Sequence, residues 1–516
     1  MRLKIKFIFI LVFCLNSLAG SIYNTYFDLL AQDQVPEEKK EDLSEKNGDN
    51  KNEVEENFIV PEDQIQRTEY LDFTYNFLLD LESFFKMGEN QTLEETNLKN
   101  EIRYQTKIIY GSEDKYFFSR LNVYLRPMLF NEDLSQDYYY SEDTELARNL
   151  RLSSHTSEII FNELYFNYSR DNFRIRAGNQ IYAWGTADRF NPTSYFNPLD
   201  LRELFFKDED EFRLGTLSLS STFFLKDYSL DFVFVPVHSP SLLAPNNNFW
   251  SFSMNHYFFP VKFKADKGEE LDEKNFAYGT KISGNRHGVD FSLSAYHGPD
   301  NNPLWLPMAI QLQANEPLSI LVDPKYYVLN MLGGDFSVNI NRFVFQGELS
   351  FSPDKKGLAE YDFNNTNKDL TLPLAVKESF YFSYAFGFNY SLPLHLLIHN
   401  YQGNPLFSFE WFQAKYLDKD LASPFITDLV TLKFEDSYFD DYLYFSLTGL
   451  YGFKNKDRII TPLLSYDFQN GFKVEFSYSR IKGKDSGSSR GLDSDNSVFY
   501  YLKDDDILRG NFSYEY

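Results

Sequence analysis

From about Tyr70 to the end of the chain, apolar and polar residues alternate with period two. In Gly471–Ser479, Phe472, Val474, Phe476 and Tyr478 alternate with Lys473, Glu475, Ser477 and Ser479. In Ser379–Tyr390, Phe380, Phe382, Tyr384, Phe386, Phe388 and Tyr390 alternate with Tyr381, Ser383, Ala385, Gly387 and Asn389. Val289, Phe291, Leu293 and Ala295 do the same against Asp290, Ser292, Ser294 and Tyr296. Ile102, Tyr104, Thr106, Ile108 and Tyr110 alternate with Glu101, Arg103, Gln105 and Lys107, and Phe173, Ile175 and Ala177 with Asn172, Arg174 and Arg176. Successive strand residues face opposite sides, so each segment predicts a β-strand with one apolar and one polar face.

Alternation is shared by soluble sandwiches and membrane barrels. Length separates them: these segments run to about 9–12 residues, enough for a tilted strand to cross a bilayer, whereas soluble strands average nearer five or six. Many begin or end in Tyr or Phe, as interfacial aromatic girdles require. No segment downstream of the leader approaches the roughly 20 apolar residues of a membrane helix. The pattern predicts an all-β protein, a transmembrane antiparallel β-barrel. Strands are expected to start near Tyr70, Glu101, Lys115, Glu158, Asn172, Arg213, Tyr228, Asn275, Gly288, Tyr326, Arg342, Ser379, Leu406, Asp428, Asp441, Ile459, Phe472 and Ile507. That is a barrel of 16–18 strands if one hairpin is false or missed, even numbers being the rule for single-chain bacterial barrels.

The two ends fit a protein bound for the outer membrane of a diderm bacterium. Arg2, Lys4 and Lys6 precede the apolar stretch Phe7–Leu15, and Ser17, Ala19 and Gly20 follow. This reads as a secretory signal peptide over residues 1–19. Cys14 would be the acylated residue of a lipoprotein, but Phe13 precedes it where a small residue is expected. Residues 20–67 include Glu37-Glu38-Lys39-Lys40-Glu41-Asp42 and read as a flexible acidic periplasmic tail, leaving 68–516 for the barrel. At the other end Leu508, Phe512, Tyr514 and the final Tyr516 share one face of a last strand. Such a closing strand resembles the signal read by the barrel-assembly machinery, so Phe512, Tyr514 and Tyr516 are the expected assembly residues.

Composition agrees with this and removes other classes. Among 516 residues there are 53 Phe and 37 Tyr but one Cys, so neither long disorder nor a disulfide scaffold fits. A formal charge of −25 excludes a nucleic-acid partner. Mean hydropathy is negative, as a barrel with a polar interior permits. The expected partners are outer-membrane lipid, the assembly machinery and a small solute or lipid-like substrate; a homo-oligomer is compatible with such a barrel.

Some connections are tight, such as Leu225-Lys226-Asp227 and Gln469-Asn470-Gly471. Others are long: Asn131–Ser157, Trp184–Phe212, Pro236–Lys274, Gly298–Lys325, Ser352–Lys377 and Lys482–Asp504. Long loops are expected on the extracellular side and short turns in the periplasm. Leu242-Leu243-Ala244-Pro245 with Trp250, and Leu304-Trp305-Leu306-Pro307, are apolar enough to predict inward folding or contact with a hydrophobic ligand.

The most specific stretch runs Ala177-Gly178-Asn179-Gln180-Ile181-Tyr182-Ala183-Trp184-Gly185, continues through Asp188, Arg189 and Asn191-Pro192, and ends in Asn197-Pro198-Leu199-Asp200-Leu201-Arg202. A strand here ends in Gly and Trp, and two Asn-Pro turns stiffen the loop beyond it. It resembles the motif G-x-Q-x-x-x-W-G…N-P-x-D of a porin-like outer-membrane barrel family of unknown function, related in architecture to alginate-export barrels. His297-Gly298-Pro299, Gly333-Gly334-Asp335-Phe336 and Gln346-Gly347-Glu348 look like further positions of that family. The resemblance implies a channel, and a lipid or hydrophobic cargo, because members accompany exporters of the resistance-nodulation-division type. Trp184, Asp188, Arg189, Asp200 and Arg202 are expected at a constriction, the charged members facing water.

Enzyme chemistry finds no support. The chain lacks a nucleophile elbow and a phosphate-binding glycine loop, and His395 and His399 sit in a Leu-Pro-Leu context that reads as a connection. No catalytic, cofactor-binding or metal-ligating residue is assigned. Parity places Arg103, Lys107, Arg120, Arg126, Arg174 and Arg176 on polar faces of early strands, and Glu348, Glu410, Glu435 and Glu475 on those of later ones. Opposed basic and acidic walls would set up a transverse field in a lumen. The expected function is a porin-like channel for small solutes or a lipid-like substrate. The alternative is a barrel that displays its loops as a surface adhesin or interaction protein.

Overall fold

The computed structural model describes residues 70–87, 93–125, 151–153, 157–187, 190–202, 212–243, 261–263, 273–311, 319–359, 373–394, 401, 403, 405–422, 424, 427–453, 456–482 and 506–515. The signal-peptide and tail readings, and the expectations for Arg126, Asp188, Arg189, Trp250, His395, His399 and Tyr516, lie outside these residues.

The alternating segments form β1 (Tyr70–Met87), β2 (Leu93–Gly111), β3 (Lys115–Leu125), β4 (Arg151–Ser153), β5 (Ser157–Arg170), β6 (Phe173–Gln180), β7 (Asp200–Leu201) and β8 (Thr216–Leu225). They continue as β9 (Tyr228–Val235), β10 (Leu242–Leu243), β11 (Val261–Phe263), β12 (Ala277–Arg286), β13 (Val289–Pro299), β14 (Leu304–Gln311), β15 (Ser319–Lys325) and β16 (Val328–Ile340). The remainder are β17 (Phe343–Leu358), β18 (Val376–Ser391), β19 (Leu406–Tyr416), β20 (Leu429–Tyr438), β21 (Leu443–Gly452), β22 (Arg458–Asp467), β23 (Phe472–Lys482) and β24 (Asp506–Glu515).

Eighteen of them make one closed antiparallel barrel. Leaving out the short β4, β7, β10, β11, β14 and β15, each strand pairs with its neighbour in sequence, as β1 does with β2 and β23 with β24. Closure is by β1 and β24, in register from Leu78 opposite Glu515 to Met87 opposite Asp506. Each expected start lies in or just before one of the eighteen; Arg213 precedes β8 and Asn275 precedes β12, while β2 begins at Leu93, well ahead of Glu101. The strand count is the upper end of the expected range. β4 lies alongside β5, β7 pairs with β10, and β11, β14 and β15 form a three-stranded sheet.

The alternation sorts residues between the two sides of the wall. Leu293 and Phe476 are 62% and 60% exposed, while the intervening Ser292, Ser294 and Ser477 are buried. Phe117, Phe166, Leu219, Phe232, Leu349, Phe386, Leu447 and Phe512 also lie exposed on the outer face. An apolar outer face on a closed sheet with no free edge is the arrangement a lipid bilayer requires, because every backbone group is paired within the wall. The chain is an outer-membrane β-barrel.

Turns at one end are short. Asp171, Lys226, His287 and Asn341 open two-residue turns with φ between 47° and 57°, and the expected turns at Lys226-Asp227 and Gln469-Asn470-Gly471 are both present. The other end carries the connections 181–215, 236–276, 300–327, 359–375 and 483–505. Two expected connections start later than the pattern implied. β17 runs past Ser352 to Leu358 and pairs with β18 after a bulge between Ser352 and Lys355, where Pro353 cannot donate to the ladder. Within 300–327 the apolar stretch from Leu304 is itself a hairpin, β14 with β15, and buries Leu306 and Val322.

Candidate functional site

The polar ends of β6 and β8 launch residues 181–187 and 190–202 across the inside of the barrel. Gly178 has φ +134°, and a Cβ there would collide with the Leu164 carbonyl of β5. Two residues on, the Gln180 amide donates to the Ser218 carbonyl at 3.1 Å and accepts from the Ser220 hydroxyl at 2.8 Å, fixing where the chain leaves the wall. Asn197 then ties the departing and returning limbs together. Its Oδ1 accepts from the Tyr182 amide at 2.6 Å, and its Nδ2 donates to the carbonyls of Gln180 and Leu214 at 3.0 and 2.8 Å.

Between these ties the segment lies on the inner wall. Trp184, Tyr195 and Phe196 cover Val233, Val235, Ala277, Tyr296, Leu329 and Met331, which belong to β9, β12, β13 and β16. Trp184 meets Phe196 edge-on at 4.9 Å and is 4% exposed. Gly279 and Gly333 leave the space that Phe196 and the Tyr195 hydroxyl occupy. Burial holds the Tyr195 phenol well above its ordinary titration range, so it stays neutral. Further along, the Phe190 ring packs tilted against Phe412 of β19, centroids 5.0 Å apart.

One wall carboxylate clasps this segment. Glu348 of β17 accepts from the backbone amides of Thr186, Ala187 and Thr193, the last at 3.2 Å, and from the Thr193 hydroxyl at 2.9 Å. Gly185, with φ +97°, permits the approach, since a Cβ would strike Glu348 and Asn191. Glu410 of β19 adds a bond from the Phe190 amide at 3.0 Å. Backbone amides that no strand satisfies thus find acceptors in two acidic side chains of the far wall, and charge-assisted bonds of this kind are stronger than neutral ones.

At its far end the segment is pinned by an ion triad. Arg202 reaches Asp200 at 2.6 Å and Glu158 of β5 at 3.2 Å; the three are 4%, 0% and 0% exposed. The expectation that Asp200 and Arg202 face water is therefore corrected. They are enclosed beside β5, because a planar guanidinium can satisfy two carboxylates in one buried site. Trp184 is likewise covered by the wall. Nothing in the sequence pointed to Glu158 as their partner, since it reads as an ordinary polar position in a strand. Asn301, which donates to the carbonyls of Tyr195 and Asn197 at 2.6 and 3.1 Å, was also missed.

The other lumen candidates lie on the side of the wall opposite the exposed apolar residues. Arg120 of β3 pairs with Glu163 at 2.7 Å. Arg176 of β6 donates to Asn167 at 3.1 Å and lies over the Tyr165 ring, and Arg174 donates to Thr222 at 3.2 Å. Arg103 lies over the ring of Tyr124. Lys281 of β12, a residue the sequence did not single out, sits 5.3 Å from the Trp184 ring. The acidic group is occupied. Glu348 and Glu410 hold the segment, Glu435 is bound by Lys433 and Tyr444, and Glu475 by Lys473 at 3.0 Å. Phe512 and Tyr514 of the closing strand flank Phe472 at 5.7 and 4.4 Å.

Among solved structures, OccAB1 of Acinetobacter baumannii is similar with a TM-score of 0.48 at 9% identity, over 86% of this chain and 96% of that one. OccAB4 of the same organism gives 0.46 at 11%, over 87% and 99%. OccK8 (OprE) of Pseudomonas aeruginosa gives 0.43 at 10%, over 86% and 98%. No family model matches the chain, and no curated protein matches it in sequence. These likenesses assign no role to any residue.

Proposed function

We propose that the protein is a porin-like channel of the outer membrane that passes small polar solutes through a lumen narrowed by residues 181–202. The observation that carries this reading is the Glu348 clasp, which holds Thr186, Ala187 and Thr193 inside the barrel. The end with the long connections is assigned to the cell exterior and the short turns to the periplasm, as in barrels of this kind. Charges of both signs line this surface: Arg174 and Arg176 on β6, with Asp231 joined to Arg174 through Thr222, and Glu348 and Glu410 across from them, bonded to neutral donors. Such a surface suits polar solutes. Lipid-like cargo fits less well, because the apolar surface around Trp184 is sealed rather than open.

Residues of the porin-like motif support the same reading, each through holding the segment: Gly178 and Gly185 by conformation, Gln180 and Asn197 by hydrogen bonds, Trp184 by burial, Asp200 by its ion pair. Planar-bilayer recordings test the proposal. Discrete conductance steps are expected, and Arg174→Gln with Arg176→Gln should move the reversal potential toward cations. A barrel acting as an adhesin would show no steps at all, and that result would overturn the channel reading.

A further inference from the structure

The outer face of the barrel carries three basic residues at the long-connection end of β22 and β23. Arg458 and Arg480 are exposed and share the outward side with Ile460 and Phe476, while Ile459, Ser479 and Ile481 between them are buried. Lys482, two residues beyond Arg480, has the same parity. In register Lys482 lies directly opposite Arg458, and Arg480 opposite Ile460. Like charges facing each other across an antiparallel pair repel. Among the described residues none of the three makes an ion pair. Asp506, at the head of β24, comes opposite Arg480 as the register continues past Ser479 and Ile507, and accepts from the Tyr478 hydroxyl and, at 3.3 Å, from the Ile481 amide. It offsets part of one of the three charges and leaves Arg458 and Lys482 unopposed. By contrast, Lys356 at the same end is neutralised by Glu378. Beside the cations stand two exposed rings, Tyr451 and Phe453, edge to face at 5.2 Å, as expected where a barrel wall meets the headgroup layer.

From this we infer that Arg458, Arg480 and Lys482 form a binding site for the phosphate groups of an outer-leaflet lipid. A guanidinium matches a phosphate with two parallel hydrogen bonds, and two arginines with a lysine hold one or two phosphates without needing a pocket. The anion removes the repulsion that the bare wall would carry. Lipid tails would lie against Ile460 and Leu464, which continue the same face toward the middle of the wall. The inference rests on the outer-membrane placement and on the long connections facing outward, and not on conduction.

Native mass spectrometry of the full chain, released from detergent with added lipid, provides the test. The probes are diphosphoryl lipid A, the same lipid with its phosphates removed, and inorganic phosphate. Wild type should retain the diphosphoryl form, and Arg458→Gln with Arg480→Gln should lower that retention about tenfold or more. Arg458→Lys with Arg480→Lys should keep an intermediate level, because charge persists while the two-pronged geometry is lost. Equal retention of the two lipids, or no change in the glutamine variant, overturns the site. Displacement of the lipid by an equal concentration of inorganic phosphate overturns the lipid assignment. Heat-modifiable migration verifies folding of each variant; if the double variant is misfolded, Lys482→Gln carries the same comparison. Conductance measured on the same preparation keeps the two readings separable, since lipid retention without conductance would sink only the channel.

Discussion

Single side chains decide whether residues 181–202 stay on the wall. Glu348 is the sharpest case, because it is the shared acceptor for three backbone amides and a hydroxyl. Glu348→Gln keeps the shape but loses the charge and one acceptor oxygen, so single-channel conductance should become larger and noisier while assembly survives. Glu348→Ala should lower the thermal transition of the folded barrel as well, since each buried amide left without an acceptor costs about 1–3 kcal/mol. Arg202→Met tests the other anchor. It would strand Glu158 and Asp200 as adjacent buried carboxylates, and breaking a buried pair in this way costs about 3–5 kcal/mol. The expected outcome is a poorly assembled barrel by heat-modifiable migration; an unchanged melting profile would show that the triad contributes little.

At the scale of the element, the closing strand governs insertion. β24 pairs with both β1 and β23, and Phe512 faces outward. A basic charge on the lipid face costs about 2–4 kcal/mol at mid-membrane and less near the edges, and an acidic one costs somewhat less but is still unfavourable. Phe512→Asp should therefore reduce insertion more than Tyr516→Asp, while both leave the strands of the middle wall unaltered. Surface levels measured by protease shaving would separate the two variants, and equal, wild-type levels would remove the assembly role from this strand. The segment 181–202 makes a contrasting prediction. Deleting 186–202 should raise conductance if the segment only narrows the lumen, and should abolish assembly if the apolar inner wall of β9, β12, β13 and β16 needs its cover.

Across the whole molecule the expectation is recovery in the outer-membrane fraction, with migration that changes on boiling. Recovery from the soluble periplasm would refute a wall whose outer face is built from residues such as Leu293 and Phe476.

The barrel was legible because its physics is local. Period-two alternation sets which side of the wall each residue faces, turns such as Lys226-Asp227 set the hairpins, and closure needs only that the first and last strands pair. Each of the eighteen strands could be located this way, though not the early start of β2 at Leu93, as could the inward side of Arg103, Arg120, Arg174, Arg176, Glu348 and Glu475. The importance of the Trp184 region was also visible, in its glycines, its tryptophan and its two Asn-Pro turns. What those residues touch was not. Glu348 lies more than 150 positions from Thr193, and Glu158 lies 44 from Arg202, with no periodicity linking either pair. Only the closed barrel brings β17 and β5 to the two ends of one segment. The charges expected to face water were buried for the same reason: whether a carboxylate solvates or clasps depends on the donors that tertiary structure places beside it.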